Sequence, residues 1–257
     1  MQNYCKTIGA LAAVSALVAG NVKAEVEYEL HTGYSSEYLF RGVKLGNDLV
    51  EAGADVKAQV APGLNLNAGI WYGDFSQSAI NFNEVDLYAG ASKDFGFLTA
   101  SLGYIFRNYN SGTSDQIGIG TEDNQEIAFG ISRDFGYVAA SLTYYWSVAG
   151  TCGYPNGLPG VAYVGGSNNG YTELALSHSW VLSPCLALNV GTNLGYLAEQ
   201  GVCTAWTSKV ALDWGFAEHA KLSPFIAASL ACSESRASIW ETTNNQLLGG
   251  AMLSVNF

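Results

Sequence analysis

The strongest constraint on the fold is an alternation of apolar and polar side chains that recurs along most of the chain. In residues 26–34, for example, Val26, Tyr28 and Leu30 alternate with Glu27 and Glu29. A period of two residues is the signature of a β-strand whose two faces meet different surroundings. The segments with this pattern are residues 26–34, 49–61, 64–73, 84–93, 98–107, 126–133, 138–147, 171–180, 186–196, 206–214, 222–232 and 247–257. The pattern therefore predicts an all-β fold of about 12 strands.

The polar face of these segments separates a membrane barrel from a soluble one. Charged residues make up 13% of the chain, about half of what a soluble domain usually carries, and Gly, Ser, Asn and Ala dominate the polar face. Aromatic residues cluster near the strand ends, where the two membrane interfaces would lie. These positions are Tyr34, Tyr72, Tyr104, Phe106, Tyr144, Trp146, Trp180, Tyr196, Trp214 and Phe257. The sequence favours a transmembrane antiparallel up-and-down β-barrel over a soluble lipocalin-like barrel.

The first residues predict a compartment. Lys6 precedes an apolar run at residues 8–20, and Val22-Lys23-Ala24 ends it with a small residue, which is the layout of a secretory signal peptide. The run is too short for a spanning helix, and no later segment has 18 consecutive apolar residues. We therefore expect residues 1–24 to be cleaved and residues 25–257 to form one barrel in the outer membrane of a Gram-negative-type bacterium. The expected partners there are outer-membrane lipid and the outer-membrane assembly machinery, whose recognition signal the terminal Ser-Val-Asn-Phe resembles.

The connections between the predicted strands alternate in length. Short turns are predicted at residues 61–63, 94–97, 134–137, 181–184 and 215–220, and long loops at residues 35–48, 74–83, 108–123, 148–170, 197–204 and 233–245. Outer-membrane barrels combine short periplasmic turns with longer outer loops. Residues 86–106 and 126–146 also align without gaps, and each copy reads as a strand, an Asp-Phe-Gly turn and a second strand. This partial repeat supports a barrel built from hairpins.

Charged residues on the polar face are the candidates for lining a lumen. They are Glu29, Glu51, Asp55, Lys57, Glu84, Asp86, Arg107, Glu126, Glu173, Lys209 and Asp213. Removal of residues 1–24 leaves 22 acidic and nine basic residues, a formal charge of −13. One interpretation is an acidic lumen that favours cations or polyhydroxylated neutral solutes. The other is a satisfied ionic network that fills a narrow barrel and conducts little, and the sequence leaves both open.

The stretch SSEYLFRGVKLGND, residues 35–48, is expected to be the first outer loop. It carries Glu37 and Arg41 at the mouth, with Tyr38 and Phe40 expected as rim or interfacial aromatics. We expect Arg41 to turn inward toward Glu37, Glu51 or Glu29. A structural ion pair is favoured over a role in ion selectivity, and a catalytic role is the least favoured.

Signals for catalysis, metals and nucleic acid are weak. His31, His178 and His219 have no metal-ligand spacing with one another or with a cysteine, so no cofactor is expected. His178 and Ser179 are neighbours on a predicted strand and point to opposite faces, so they cannot form a nucleophile–base pair. The chain is therefore expected not to be an enzyme. Its acidic charge argues against nucleic-acid binding, and the oligomeric state is left open.

Cysteines at the predicted outer end are candidates for a disulfide, since an exported chain meets an oxidising compartment. Cys152 and Cys203 lie in predicted outer loops and Cys232 at the outer end of its strand. The candidate bridges are Cys152–Cys203 and Cys203–Cys232. Cys185 follows a predicted periplasmic turn at the far end and is expected to stay free.

Two motifs resemble those of a known family. Ser35-Ser36-Glu37-Tyr38-Leu39-Phe40-Arg41-Gly42-Val43 resembles the S-[DE]-Y-x-[FY]-R-G-[IV] signature of the TorF-type group of small outer-membrane porins. Glu84-Val85-Asp86-Leu87-Tyr88-Ala89-Gly90 is similar to that family's E-x-D-x-Y-x-G strand. The resemblance implies an outer-membrane barrel without naming a solute. We expect a channel for small hydrophilic solutes, cationic ones included; the alternative is a closed barrel that is structural or binds a partner through its outer loops.

Overall fold

Twelve β-strands make up the part of the chain that the computed structural model describes, which is residues 25–77, 80–111, 122–150, 170–198, 201–232 and 245–257. The strands are β1 (Glu25–Phe40), β2 (Val43–Ala61), β3 (Leu64–Gln77), β4 (Ile80–Asp94), β5 (Thr99–Ser111), β6 (Glu122–Asp134), β7 (Ala139–Gly150), β8 (Tyr171–Ser183), β9 (Leu186–Leu197), β10 (Val202–Gly215), β11 (Ala220–Ala231) and β12 (Gln246–Asn256). The expected signal peptide lies outside these residues.

The strands close into one antiparallel up-and-down barrel. Each strand pairs with its neighbours in sequence, and β1 pairs with β12 from Glu29 opposite Asn256 to Ser35 opposite Gly250. Closure leaves the sheet without a free edge strand, as a sheet that spans a membrane requires. The prediction of a twelve-stranded barrel is confirmed. Among the described residues, no helix is long and apolar enough to cross a membrane.

The two-residue alternation becomes a division between outside and inside. Leu30 on β1, Leu102 on β5 and Ile226 on β11 are 52%, 53% and 64% exposed. Charged residues on the other face of the sheet, such as Arg107 on β5 and Glu126 on β6, are buried inside the barrel. An outer wall that is mainly apolar, with charged side chains buried inside, is the arrangement of a membrane barrel and the reverse of a soluble one.

Tight turns join the strands at the end of the barrel where β1 begins. They occupy residues 62–63, 95–98, 135–138, 184–185 and 216–219, in agreement with the predicted short turns. The two Asp-Phe-Gly copies form the same turn, because Asp94 and Asp134 each accept a hydrogen bond of 2.7 Å from the backbone N–H of the glycine two residues on. We call this end of the barrel the inner end and the opposite end the outer end.

The prediction of a long outer loop at residues 35–48 is wrong. β1 continues to Phe40, β2 begins at Val43, and only Arg41-Gly42 forms the turn, with both residues at positive φ. Gly46 does not interrupt β2, because it stands opposite Tyr38 in the ladder. A Cβ at Gly46 would lie 2.5 Å from the Phe75 ring, so the glycine permits close packing there.

Most of the predicted loop at residues 74–83 is likewise strand, through Gln77 and again from Ile80. The prediction of a long loop at residues 197–204 is also wrong, because β9 continues to Leu197 and β10 begins at Val202, so only four residues separate the strands. The expected loops at residues 108–123, 148–170 and 233–245 lie largely outside the described residues.

The tip of the β1–β2 hairpin leaves the barrel wall and crosses the lumen. Residues 36–47, the hairpin tip, begin where β1 stops pairing with β12 after Ser35. The Arg41 guanidinium lies 4.5 Å and 4.4 Å from the ring centroids of Tyr145 on β7 and Tyr171 on β8. A Cβ at Gly42 would lie 2.2 Å from the Cβ of Ala205 on β10. Since β7 and β8 stand opposite β1 and β2 in a ring of twelve strands, the tip spans the outer end of the barrel.

A disulfide joins the outer ends of β10 and β11. It links Cys203 to Cys232, whose Cα atoms are 5.6 Å apart, and Cys185 is free and exposed at the inner end. The structure thus contains one of the two candidate bridges, while Cys152 lies outside the described residues. The bridge holds together the two strands that the tip touches through Ala205 and Ser229.

Removing this disulfide should weaken the barrel. For the double variant Cys203→Ser/Cys232→Ser, we expect a loss of about 3 kcal/mol in the free energy of unfolding, because the unfolded chain regains the entropy that the closed loop had lost. Urea unfolding of protein refolded in lipid, followed by the mobility of unboiled samples in gels, measures the change. Cys185→Ser is the matched control and should leave stability unaltered; equal losses in the two variants would contradict the assignment.

Candidate functional site

The hairpin tip is anchored through Arg41. The two terminal guanidinium nitrogens of Arg41 donate hydrogen bonds of 2.9 Å and 2.7 Å to the two carboxylate oxygens of Glu126 on β6. The rings of Phe40, Tyr145 and Tyr171 lie within 5 Å of the same guanidinium, at 4.8, 4.5 and 4.4 Å. The side chains of Arg41 and Glu126 are 6% and 0% exposed. We call Glu126, Tyr145 and Tyr171 the Arg41 cage, since all three come from the barrel wall.

Glu126 is shared with a second arginine. Arg107 on β5 donates a short hydrogen bond to Glu126, and its Nε lies 3.3 Å from the Asp86 carboxylate on β4. Phe40 also packs against Arg107, with 5.1 Å between the guanidinium carbon and the ring centroid. Asn124, fully buried, accepts a further hydrogen bond from Arg107. Together these contacts form a buried ion-pair network from β4 to β6 that the tip completes.

A second anchor of the tip is Tyr38, three residues before Arg41 on β1. Its hydroxyl donates a hydrogen bond of 2.7 Å to Glu84 on β4, which is fully buried. The Tyr38 ring packs between Trp71 and Phe75 of β3, at centroid distances of 5.8 Å and 4.9 Å. Tyr38 and Phe40 were expected at the rim or the interface, and that prediction is wrong. Both rings lie in the lumen, because the tip turns inward and takes them with it.

The structure corrects the expected partner of Arg41. Arg41 does turn inward, but it bonds to Glu126, 85 residues away in sequence, and not to Glu37, Glu51 or Glu29. Glu37 instead accepts a hydrogen bond of 2.6 Å from Lys44, so this ion pair closes within the tip. The reason is distance: once the strands continue to Phe40, the Arg41 side chain starts near the far wall.

The remaining predicted lumen residues form smaller groups along the barrel. Asp55 accepts a hydrogen bond of 2.5 Å from Tyr88 and lies 3.3 Å from His31. Glu51 accepts one from Trp71, and Glu173 accepts from Tyr171 and Asn193. Further contacts are Lys57 with Glu27 at 3.6 Å, Asp213 with Lys221 at 3.0 Å, and Lys209 over the Phe225 ring at 4.0 Å. Glu29 lines the cavity at the inner end.

The aromatic half of the Arg41 cage was missed in the sequence. Tyr145 sits between Tyr144 and Trp146, which are exposed on the outer face, and its own position in the alternation places it inside. Tyr171 is the first residue of β8 and is 2% exposed. Parity alone could have placed Tyr145 inside, whereas nothing local indicated that either ring meets an arginine from β1.

Below the tip the lumen is open and polar. One cavity of about 620 Å³ occupies the inner half, lined by Glu29, Lys209 and Asp213 among others. A second cavity of about 460 Å³ lies directly under the tip, lined by Glu37, Glu51 and Lys209. Ser177, Gly191 and Lys209 line both cavities, so the two adjoin. The barrel is therefore hollow from its inner end up to the tip.

Metal-ligand chemistry does not appear in the described part of the chain. There, no three His, Cys, Asp or Glu side chains come together as a group that could hold a metal ion. The described interior places charged side chains, aromatic faces and hydrogen-bonding groups around cavities large enough to hold water. Such a lining suits passage or binding of hydrophilic solutes.

Comparison with known sequences gives one family match. A family model described as "Bacterial protein of unknown function (Gcw_chp)" matches residues 21–245. No curated protein sequence matches the chain.

Solved structures of outer-membrane channels share the architecture. The KdgM porin in complex with disordered oligogalacturonate is 10% identical, with a TM-score of 0.50 over 90% of this chain and 99% of that chain. The COG4313 outer membrane channel from Pseudomonas putida F1 is 12% identical, with a TM-score of 0.50 over 93% and 97% of the two chains. At such identities the likeness concerns the fold alone, which is that of outer-membrane β-barrels.

Loss of the shared carboxylate should destabilise the barrel more than loss of any exposed one. In Glu126→Ala, two buried guanidinium groups lose their common partner, and we expect the free energy of unfolding to fall by about 3–5 kcal/mol. The matched control is Glu27→Ala, since Glu27 is 65% exposed and pairs with Lys57 at 3.6 Å; its loss should stay below about 1 kcal/mol. Urea unfolding in lipid vesicles compares the two, and similar losses would show that the network does not stabilise the fold.

Proposed function

The chain belongs to the Gcw_chp family of bacterial proteins, and we propose that it forms a narrow channel for small hydrophilic solutes in the outer membrane of a Gram-negative-type bacterium. The hairpin tip is its constriction. The observation that supports this proposal most directly is the polar lumen, which is hollow from the inner end to the tip. A barrel that served only as a structural element would be filled by its own side chains, as small barrels are.

The resemblance of residues 35–43 and 84–90 to TorF-type porins supports the same proposal. So does the apolar outer wall, which fits contact with outer-membrane lipid. A precursor with residues 1–24 removed would reach that membrane through the assembly machinery. We propose no catalytic role, since His178 packs edge-on against Trp180 at a centroid distance of 4.4 Å while Ser179 points to the other face.

The charges of the lining favour cations or neutral solutes. Among the residues that the structure describes, five acidic and two basic ones line the two cavities: Glu29, Glu37, Glu51, Asp134 and Asp213, against Lys209 and Lys221. A wall of this sign attracts cations and repels anions at short range. Oligogalacturonate, which accompanies the KdgM porin, carries a carboxylate on each sugar. We therefore do not extend that class of ligand to this chain.

One observation favours a second candidate, a closed barrel that acts through its outer loops. The tip crosses the outer end of the lumen and is held there by the buried Arg41–Glu126 ion pair. If the tip never moves, solutes could enter from the inner end but not cross. The two candidates differ in whether current flows.

Purified protein in planar bilayers should give discrete, cation-selective conductance. Under a KCl gradient, the reversal potential should have the sign of potassium permeation, and Glu29→Gln/Glu51→Gln should move it toward zero because two lining charges are lost. Glu218→Gln is the control, since Glu218 is exposed in the β10–β11 turn and lines neither cavity. Absence of current above background would refute the channel and leave the closed barrel.

Gly42 offers a separate test of the constriction. In Gly42→Ala the new Cβ would meet Ala205 at 2.2 Å on a backbone with φ of +84°, so the tip should seat poorly and single-channel conductance should rise. Gly96→Ala is the matched control: φ there is +83° and no atom of the described residues lies within 4 Å of the new Cβ. It carries the same backbone strain, about 1–3 kcal/mol, away from the tip. Equal conductance in both variants would contradict the constriction.

A further inference from the structure

The barrel wall alone forms a site for a flat cation. The Arg41 cage consists of Glu126, Tyr145 and Tyr171, which come from β6, β7 and β8. All three stay in place if the hairpin tip moves, because the tip is part of β1 and β2. Arg41 therefore occupies the cage as a tethered ligand occupies a binding site.

The geometry of the cage matches guanidinium better than ammonium. Both Glu126 oxygens accept hydrogen bonds from Arg41, at 2.9 Å and 2.7 Å, which requires two parallel donors in one plane. The faces of Tyr145 and Tyr171 lie 4.5 Å and 4.4 Å from the centre of the same plane. A lysine or simple amine supplies a point charge without the fork or the flat face, so it satisfies only part of this site.

Moving the tip away would leave carboxylates of the barrel wall without their partners. Arg41 and Tyr38 would leave together, and Glu126 and Glu84, both fully buried, would each lose a partner. Arg107 would then be the one arginine facing Glu84, Asp86 and Glu126 among the described residues of the network, and Glu173 would lose its interaction with Arg41. Buried carboxylates without partners are costly, so an exposed cage takes up a cation or water.

We propose that the Arg41 cage is a guanidinium-binding site that Arg41 fills when the tip is seated, and that a soluble guanidinium compound competes with Arg41 and frees the tip. The cage would bind the ligand at the outer end of the barrel. With a ligand in the cage the tip is released, and with Arg41 in the cage the tip blocks the lumen. This inference goes beyond the proposed channel, because binding at the cage does not depend on solute passage. Since such a ligand binds only the state with the tip away, it shifts the population toward that state.

The test uses ethylguanidinium, a short analogue of the arginine side chain, and calorimetry on detergent-solubilised protein. Arg41→Ala leaves the cage without its tethered occupant and should bind ethylguanidinium saturably. A tethered group competes at a millimolar effective concentration, so the wild type should bind at least about tenfold more weakly. Ethylammonium, with the same charge and no fork, should bind Arg41→Ala more weakly than ethylguanidinium does.

Two further variants make the result specific. Lys44→Ala removes a different cation from the tip, one that pairs with Glu37 inside the tip itself, and should behave as the wild type. Arg41→Ala/Glu126→Gln removes the fork acceptor and should abolish binding. Equal affinities for wild type and Arg41→Ala, or equal binding of ethylammonium, would overturn the proposal.

Folding and channel function are checked separately. If Arg41→Ala does not fold, Arg41→Lys keeps the positive charge but not the fork, and it too should bind ethylguanidinium more tightly than the wild type; an unchanged affinity counts against the site. Binding without any current in bilayers would refute the channel and keep the cage. Current without binding would refute the cage and keep the channel.

Discussion

The arrangement of the outer end depends on one buried carboxylate, Glu126, held between two arginines. A carboxylate with no exposed surface is unstable unless its charge is matched and its lone pairs are filled. Arg107 comes from the neighbouring strand, but the second guanidinium has to come from the lumen side, and Arg41 reaches it only if the hairpin tip crosses the barrel. The inward fold of residues 36–47 thus follows from electrostatics as well as from packing.

The interior accepts the tip because its wall is lined with small residues. A Cβ at Gly195 would lie 2.6 Å from the Tyr171 hydroxyl, so the glycine leaves space for the ring that covers Arg41. Gly69 does the same for Tyr88, whose ring would lie 2.5 Å from a Cβ there. The abundance of glycine on the polar face, which in the sequence indicated only a barrel with little charge, therefore also makes room for aromatic side chains inside.

The sequence predicted what depends on local period and missed what depends on distance across the lumen. Alternation assigned all twelve strands, and parity placed Glu84, Asp86, Arg107 and Glu126 inside, because side-chain direction repeats every two residues. The Arg41–Glu126 pair joins opposite sides of the ring. Whether the two side chains meet depends on the diameter of the barrel and on the path of the tip. Neither quantity is encoded near Arg41, and no local pattern indicates that Gly42 and Gly46 pack closely against Ala205 and Phe75.

The contacts of the tip are separable from those that close the barrel. From Glu29 to Ser35, β1 pairs with both β2 and β12, and these ladders do not involve residues 36–47. The tip itself is held by side chains of β3 to β8 and by its contact with β10. Moving the tip would therefore break ion pairs, ring contacts and the hydrogen bonds that join Tyr38 to Glu84, Ser76 to Asn47 and Gly249 to Ser36, without opening the β1–β12 seam. A polar, mutually satisfied set of contacts has few intermediate arrangements, because a half-broken network leaves buried charges unpaired. Such a tip tends to be either seated or released, which is the property that a constriction needs if its position is to respond to a ligand.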